Sequence, residues 1–296
     1  MKITLRRRWI GWSAVIMLLW LLFAQALNAA RAASLTFDEG PHLAVGYTTL
    51  RTGDWRLQPI HIHPPLANVW AAAPLLLNPD LPDPRTVPGW EIASLSAVTD
   101  AVVWGYPHPA RLALAGRLPI ILLTILTGAL VFRWAADLGG RAAGLLALGL
   151  YAFDPNIIAH GALVTTDMAV TALGLLTFFL LSRYLRRPSP ARLTGIGLAL
   201  GLALASKVSA ALLLMVIGLV LLLPSIPLPA FLKGRNKNDV SSGSNSKAVV
   251  EIVSPREKRP RLAMTSQIWN YWSSGGRADW QGRLRAWVIV VVLAGL

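Results

Sequence analysis

Apolar residues fall along this chain in long blocks, separated by short basic or polar turns. Ile10 to Ala30 is the first block, roughly 20 residues long and so long enough to cross a bilayer as a helix. Further blocks run over Ala113–Trp134, Ala142–Ile158, Asp167–Leu181, Leu193–Ala205 and Val208–Leu223. The last two read as separate short helices, because one continuous helix would bury Lys207 near mid-membrane. Ser206-Lys207 therefore marks a turn at the outer face, where the lysine can snorkel or bind an anion. A seventh block begins near Ala286, and about 11 residues of it are present, too few to cross. The chain is accordingly expected to be a fragment or a truncated reading frame.

Residues 31–110 lie between the first two blocks as one long loop. Within it Leu66–Leu77 is apolar but only about 12 residues long, opened by Pro64-Pro65 and interrupted by Pro74. The expected arrangement is a helix along the membrane interface. The fold class is therefore all-α: a polytopic membrane helix bundle over 1–223, with the loop 31–110 outside. A polar linker over 224–285 and the start of a further span over 286–296 would follow. Ala29-Ala30-Arg31-Ala32-Ala33 resembles a signal-peptidase site, but the first block exceeds a typical signal core of about 7–15 residues and reads as an uncleaved anchor.

Composition strengthens the membrane reading. Only 14% of residues are charged and 54% are hydrophobic, against about 25% charged in soluble domains. There is no cysteine, which excludes disulfides and thiolate chemistry. The net charge of +14 would suggest nucleic acid in a soluble protein. Here 21 of the 28 Lys and Arg residues fall in segments that alternate to one side, and seven fall on the other. That asymmetry places the amino terminus in the cytoplasm and the loop 31–110 outside. Most acidic residues, Asp38, Glu39, Asp154 and Asp167 among them, fall on the outer side. Asn236–Lys247 is low in complexity and reads as disordered. Trp269, Trp272, Trp280 and Trp287, interleaved with Arg277, Arg283 and Arg285, fit either an interfacial stretch or a plain linker.

Candidate chemistry gathers just beyond the first span. Asp38 and His42 are four residues apart and share a face if this stretch is helical. A carboxylate near lipid beside a histidine can serve as a base. The plainer alternative is a helix N-cap. His61-x-His63 points two histidines one way on an extended segment and, with Asp38 or Glu39, offers a possible divalent metal site. The alternative is a polar interfacial loop. Asp154-Pro155-Asn156, His160 and Asp167 form a second outer group, for which N-capping is again the plain reading. Lys207 meets either a lipid phosphate or only the headgroup region. No G-x-x-x-x-G-K-[ST] loop is present, so a nucleotide-sugar site has no support. A flipped, lipid-linked donor would supply an outward-facing site.

The ordered set of motifs resembles the GT-C superfamily of polyprenyl-phosphate-dependent glycosyltransferases, in the family 39-like branch of protein O-mannosyltransferases and aminoarabinose transferases. The matching residues are Phe37-Asp38-Glu39, Gly53-Asp54-Trp55, His63-Pro64-Pro65-Leu66, Arg117-Leu118-Pro119 and Asp154-Pro155-Asn156. His160-Gly161-x-x-Val164-Thr165-Thr166-Asp167 and Ala205-Ser206-Lys207-x-Ser209 complete the set. The resemblance covers roughly residues 10–223. It implies that Asp38 is the catalytic carboxylate, assisted by Glu39, and that the sugar is transferred with inversion. It implies that His63, with Lys207, contacts the donor phosphate and that Asp167 lines the cavity. His42, His61 and His160 are further candidate substrate-binding residues. The implied partners are a polyprenyl-phosphate sugar, a protein, lipid or glycan acceptor, and membrane lipids, without nucleic acid. The expected location is the plasma membrane, the inner one in a bacterium, with the active site facing out. Family members continue through more spans than this chain carries. A transporter or a non-catalytic membrane scaffold is the rival reading, weakened by the lack of an internal repeat and by ionisable residues gathered at one face.

Overall fold

A computed structural model describes residues 2–222 and 289–290. Among these residues every regular element is helical. Helix α1 spans Lys2–Ala32, α2 Glu39–Thr52 and α3 Leu66–Ala72, which tightens into a 3-10 turn over Ala73–Leu77. After a second 3-10 turn at Pro84–Thr86 come α4, Leu95–Thr99, and a π turn at Asp100–Trp104. Helix α5 runs Pro109–Gly139, α6 Arg141–Ala152, α7 Pro155–His160 and α8 Asp167–Arg186. Helix α9, Pro190–Leu204, leads through a 3-10 turn at Val208–Ala210 into α10, Ala211–Leu222.

Among the described residues three helices are long and apolar enough to cross a membrane: Trp12–Ala32, Pro109–Gly139 and Asp167–Arg186. The blocks read as third, fifth and sixth spans form shorter apolar helices, α6, α9 and α10. The third is cut for a local reason. Asp154 accepts from the backbone N–H groups of Asn156 (2.8 Å) and Ile157 (3.1 Å), and Pro155 occupies the first turn of a new helix. Ala142–Ile158 is therefore two helices, not one span. The break at Ser206-Lys207 stands where the sequence placed it. Ile196 and Leu200 of α9 share a buried cluster with Ile217 and Leu221 of α10, so the chain doubles back there. The linker over 224–285 lies outside the described residues, as does the span begun at Ala286 apart from 289–290.

Helices α1, α5 and α6 pack through Val15, Phe132 and Leu148, and α1 meets α5 again at Ala26, Ala30 and Ile121. Trp20, Leu126, Leu146 and Leu150 stay more than half exposed, as expected of faces turned to lipid. The segment between α1 and α5 is a packed cap, not an extended loop. Leu43, Tyr47, Leu75, Trp90 and Val102 form its core, which is continuous with Ile120 of α5 and Met168 of α8. The Trp70 indole donates to the Pro119 carbonyl (3.2 Å), tying α3 to the first half of α5. The cap thus rests on the end of the bundle at which α8 begins.

Candidate active site

Glu39 and Arg117 fix the cap in place. Both side chains are shut off from solvent, at 0% and 1% exposure. Arg117 donates through Nε to Glu39 Oε1 (2.8 Å) and through Nη2 to Oε2 (2.6 Å). Its remaining N–H groups reach the carbonyls of Ala30, Ala33 and Ser34 at 2.7–2.9 Å. Glu39 also accepts from the backbone N–H groups of Thr36 and Val164, each at 2.9 Å. Burial works to raise the Glu39 pKa, but the Arg117 bonds and these backbone donors together hold it below the usual carboxylate range. The pair thereby joins the end of α1, the start of α2, α5 and the loop before α8. Glu39 does not line the cavity described next, and its oxygens are occupied, so it acts as the anchor of its neighbour Asp38.

That neighbour opens onto a cavity of about 350 Å³. Asp38, His42, Asn68, His63, Asp167 and Lys207 all line it, with Thr165 and Thr166 beside Asp167. Asp38 stands at the N-cap position of α2, yet its side chain makes no cap hydrogen bond. The capping alternative is therefore not what occupies its carboxylate. Asp167 begins α8, and Lys207 Nζ donates to its Oδ1 at 2.5 Å. The pair is part-exposed, at 29% for the lysine and 43% for the aspartate. Lys207 reaches it because the chain steps out of α9 there in an extended conformation. The Leu66 N–H donates to the Ala205 carbonyl (2.9 Å) and holds that turn against α3.

A buried polar chain backs the cavity. His42 Nδ1 lies 2.8 Å from Asn68 Oδ1. Asn68 Nδ2 donates to Gln58 Oε1 (3.1 Å), and Gln58 Nε2 donates to Thr49 Oγ1 (3.0 Å). Helices α2 and α3 approach this closely because of Gly46, where a Cβ would stand 2.1 Å from the Asn68 carbonyl oxygen. The His42 and His63 rings meet edge to face, 5.1 Å between centroids. Burial lowers the pKa of both. His63 adds its charge against His42, which the Asn68 bond and the Asp38 and Asp167 charges only partly offset. Lys207 acts in the same direction on His63, opposed by Asp167 and Asp38.

The other sequence candidates stand apart. His61 is exposed and does not line the cavity. The N–H groups of Ile62 and His63 both turn back to the Pro59 carbonyl (2.9 and 2.8 Å), so the segment is a turn and the two histidines do not alternate along a strand. His160 lies at the rim, more than half exposed, with Nδ1 4.0 Å from Asp167 Oδ2. Asp154 is spent on capping α7. Among the described residues no three His, Cys, Asp or Glu side chains are grouped to hold a metal ion. Of the donors His61, His63 and Asp38 or Glu39, His63 and Asp38 line the cavity, while His61 and Glu39 do not.

Arg117 is the residue whose role the sequence reading missed. The signal was there, since an arginine inside an apolar span requires a buried partner. Asn68 and Gln58 gave no such signal, being common polar residues in a loop.

Residues 111–229 match the family model described as dolichyl-phosphate-mannose-protein mannosyltransferase. That stretch, less than half of the chain, is similar to this mannosyltransferase family. No curated protein and no solved structure matches it. The matched segment begins at the start of α5 and passes the α9–α10 turn. It therefore contains Arg117, Asp167 and Lys207, while Asp38, His42 and His63 come from the cap that precedes it.

Proposed function

We propose that the cavity transfers a sugar from a polyprenyl-phosphate donor to a hydroxyl acceptor at the outer face of the membrane, with inversion at the anomeric carbon. The observation that carries this reading is the meeting of Asp38, Asp167 and Lys207 in one cavity at the end of the bundle. The family description names a lipid-phosphate mannose donor and a protein acceptor, and a lipid-linked donor also suits a site with no nucleotide-binding loop. The excess of basic residues in the alternate segments supports an outward-facing cavity.

Asp38 has a free carboxylate and would accept the hydrogen bond of the acceptor hydroxyl. As the new C–O bond forms, that proton passes to Asp38 and the bond from the anomeric carbon to the phosphate oxygen breaks. The electron pair leaves with the lipid phosphate. Lys207 would turn from Asp167 toward that phosphate and stabilise its growing charge. His63, beside Lys207 in the electrostatics of the cavity, would orient the same group. A single displacement inverts the anomeric centre. A transporter site near the middle of the bilayer is disfavoured, because these groups sit at helix ends and in the cap. Sugar transfer from a radiolabelled polyprenyl-phosphate donor, in wild type against Asp38→Asn, tests the reading.

A further inference from the structure

The chain Thr49–Gln58–Asn68–His42 has a direction. Gln58 donates its amide N–H to Thr49 and accepts from Asn68. With Asn68 Nδ2 turned to Gln58, the Asn68 oxygen is the atom that faces His42 Nδ1, at 2.8 Å. An amide oxygen only accepts, so Nδ1 carries the proton and Nε2 keeps its lone pair. Asn68 is 2% exposed, and Gln58 and Thr49 are also buried, so the order is held without competition from solvent. Gly46 sets the helix spacing on which it depends.

We propose that His42 is the second proton station of the site and that Asn68 is the positioning residue fixing its Nε2 as the receiving atom. This rests on the transferase reading above. After transfer, Asp38 holds the acceptor's proton and must be reset before the next turnover. His42 lies one helical turn away on the same face, and both line the cavity. The carboxyl proton passes to His42 Nε2, which restores the carboxylate and leaves an imidazolium. The imidazolium then gives its Nε2 proton to water, and Nδ1 stays bonded to Asn68 throughout. The charged and titratable groups facing His42 are Asp38 on its own helix, His63 before α3 and Asp167 at the start of α8. Lys207 stands behind them, paired with Asp167. Burial and His63 favour the neutral ring that this task requires.

The test combines nitrogen NMR of ¹⁵N-histidine-labelled full chain in micelles with the pH profile of sugar transfer. His42 is assigned by the signal lost in His42→Gln. In the wild type the expected tautomer has Nδ1 protonated, and the opposite tautomer overturns the proposal. In Asn68→Asp, a carboxylate against Nδ1 stabilises the imidazolium, so the His42 midpoint is expected to rise by about one unit or more. The acid limb of transfer should then rise with it, about tenfold in rate for each unit, while the donor KM stays near wild type. A raised midpoint with an unmoved acid limb overturns the proposal, as does a His42→Gln variant with the wild-type rate and profile. Either result, alongside transfer that Asp38→Asn abolishes, leaves the transferase reading intact. Transfer indifferent to Asp38→Asn refutes that reading itself.

Discussion

Glu39 and Arg117 meet through two hydrogen bonds, of 2.8 and 2.6 Å, with both side chains closed off from solvent. Adjacent carboxylates in the sequence thus do different work. Asp38 faces the cavity, while Glu39 points away from it and binds the cap to the bundle. Removing one partner leaves the other as an unpaired buried charge, which costs about 3–5 kcal/mol. Glu39→Ala and Arg117→Met should each lower the melting temperature in detergent sharply. The double variant Glu39→Leu/Arg117→Met should recover part of that loss. Additive losses in the double variant would contradict the pairing.

Gly46 is the closest contact between α2 and α3. A methyl group there would meet the Asn68 carbonyl oxygen at 2.1 Å and the Ala72 Cβ at 2.7 Å. The first of these is backbone, so the helices must part. Gly46→Ala is expected to destabilise the protein by about 1–3 kcal/mol and to reduce transfer by drawing Asn68 from His42. Melting curves and transfer rates on the same preparation check this, and an unchanged melting temperature refutes it.

The Lys207–Asp167 pair is part-exposed, so its worth to stability is at most about 1 kcal/mol. Its expected importance lies in the donor phosphate. Lys207→Met should raise the KM for the polyprenyl-phosphate sugar by about tenfold or more, with little change in melting temperature. Lys207→Arg should keep part of the affinity. An unaltered donor KM in Lys207→Met would remove the lysine from the phosphate site.

Much of this was legible in the sequence, and the failures have physical causes. The four-residue spacing of Asp38 and His42 already placed them on one face, and the turn at Lys207 followed from the cost of a lysine at mid-membrane. The third span failed because Asp154-Pro155 restarts a helix inside an apolar block, and hydropathy does not register a cap. The His61–His63 pairing failed because alternation presumes a strand, whereas backbone bonds to Pro59 curl that segment into a turn. Glu39 could not be told from Asp38 by sequence, since their difference depends on Arg117, 78 residues away along the chain.

The histidines give the site a pH dependence of definite sign. The folded-state pKa values of His42 and His63 lie below the ordinary 6.5. Between the two values the unfolded chain binds more protons than the folded one, so stability is lost as pH falls below about 6.5. Melting temperature should therefore decline from pH 8 toward pH 5, and the decline should flatten in a His42→Gln/His63→Gln variant. At lower pH, Glu39 adds a further loss as it begins to be protonated below its ordinary 4.5. A melting temperature that rises on acidification to pH 5 would contradict this ordering.

The central claim is that Asp38 carries out sugar transfer in this cavity. The most direct measurement is transfer of radiolabel from a polyprenyl-phosphate sugar to a hydroxyl acceptor in membranes holding equal amounts of folded wild type or Asp38→Asn. Label transferred by the wild type and reduced at least about a hundredfold by the substitution is the result expected of a group that takes the acceptor's proton. Equal transfer by the two proteins would place the chemistry elsewhere and contradict the account.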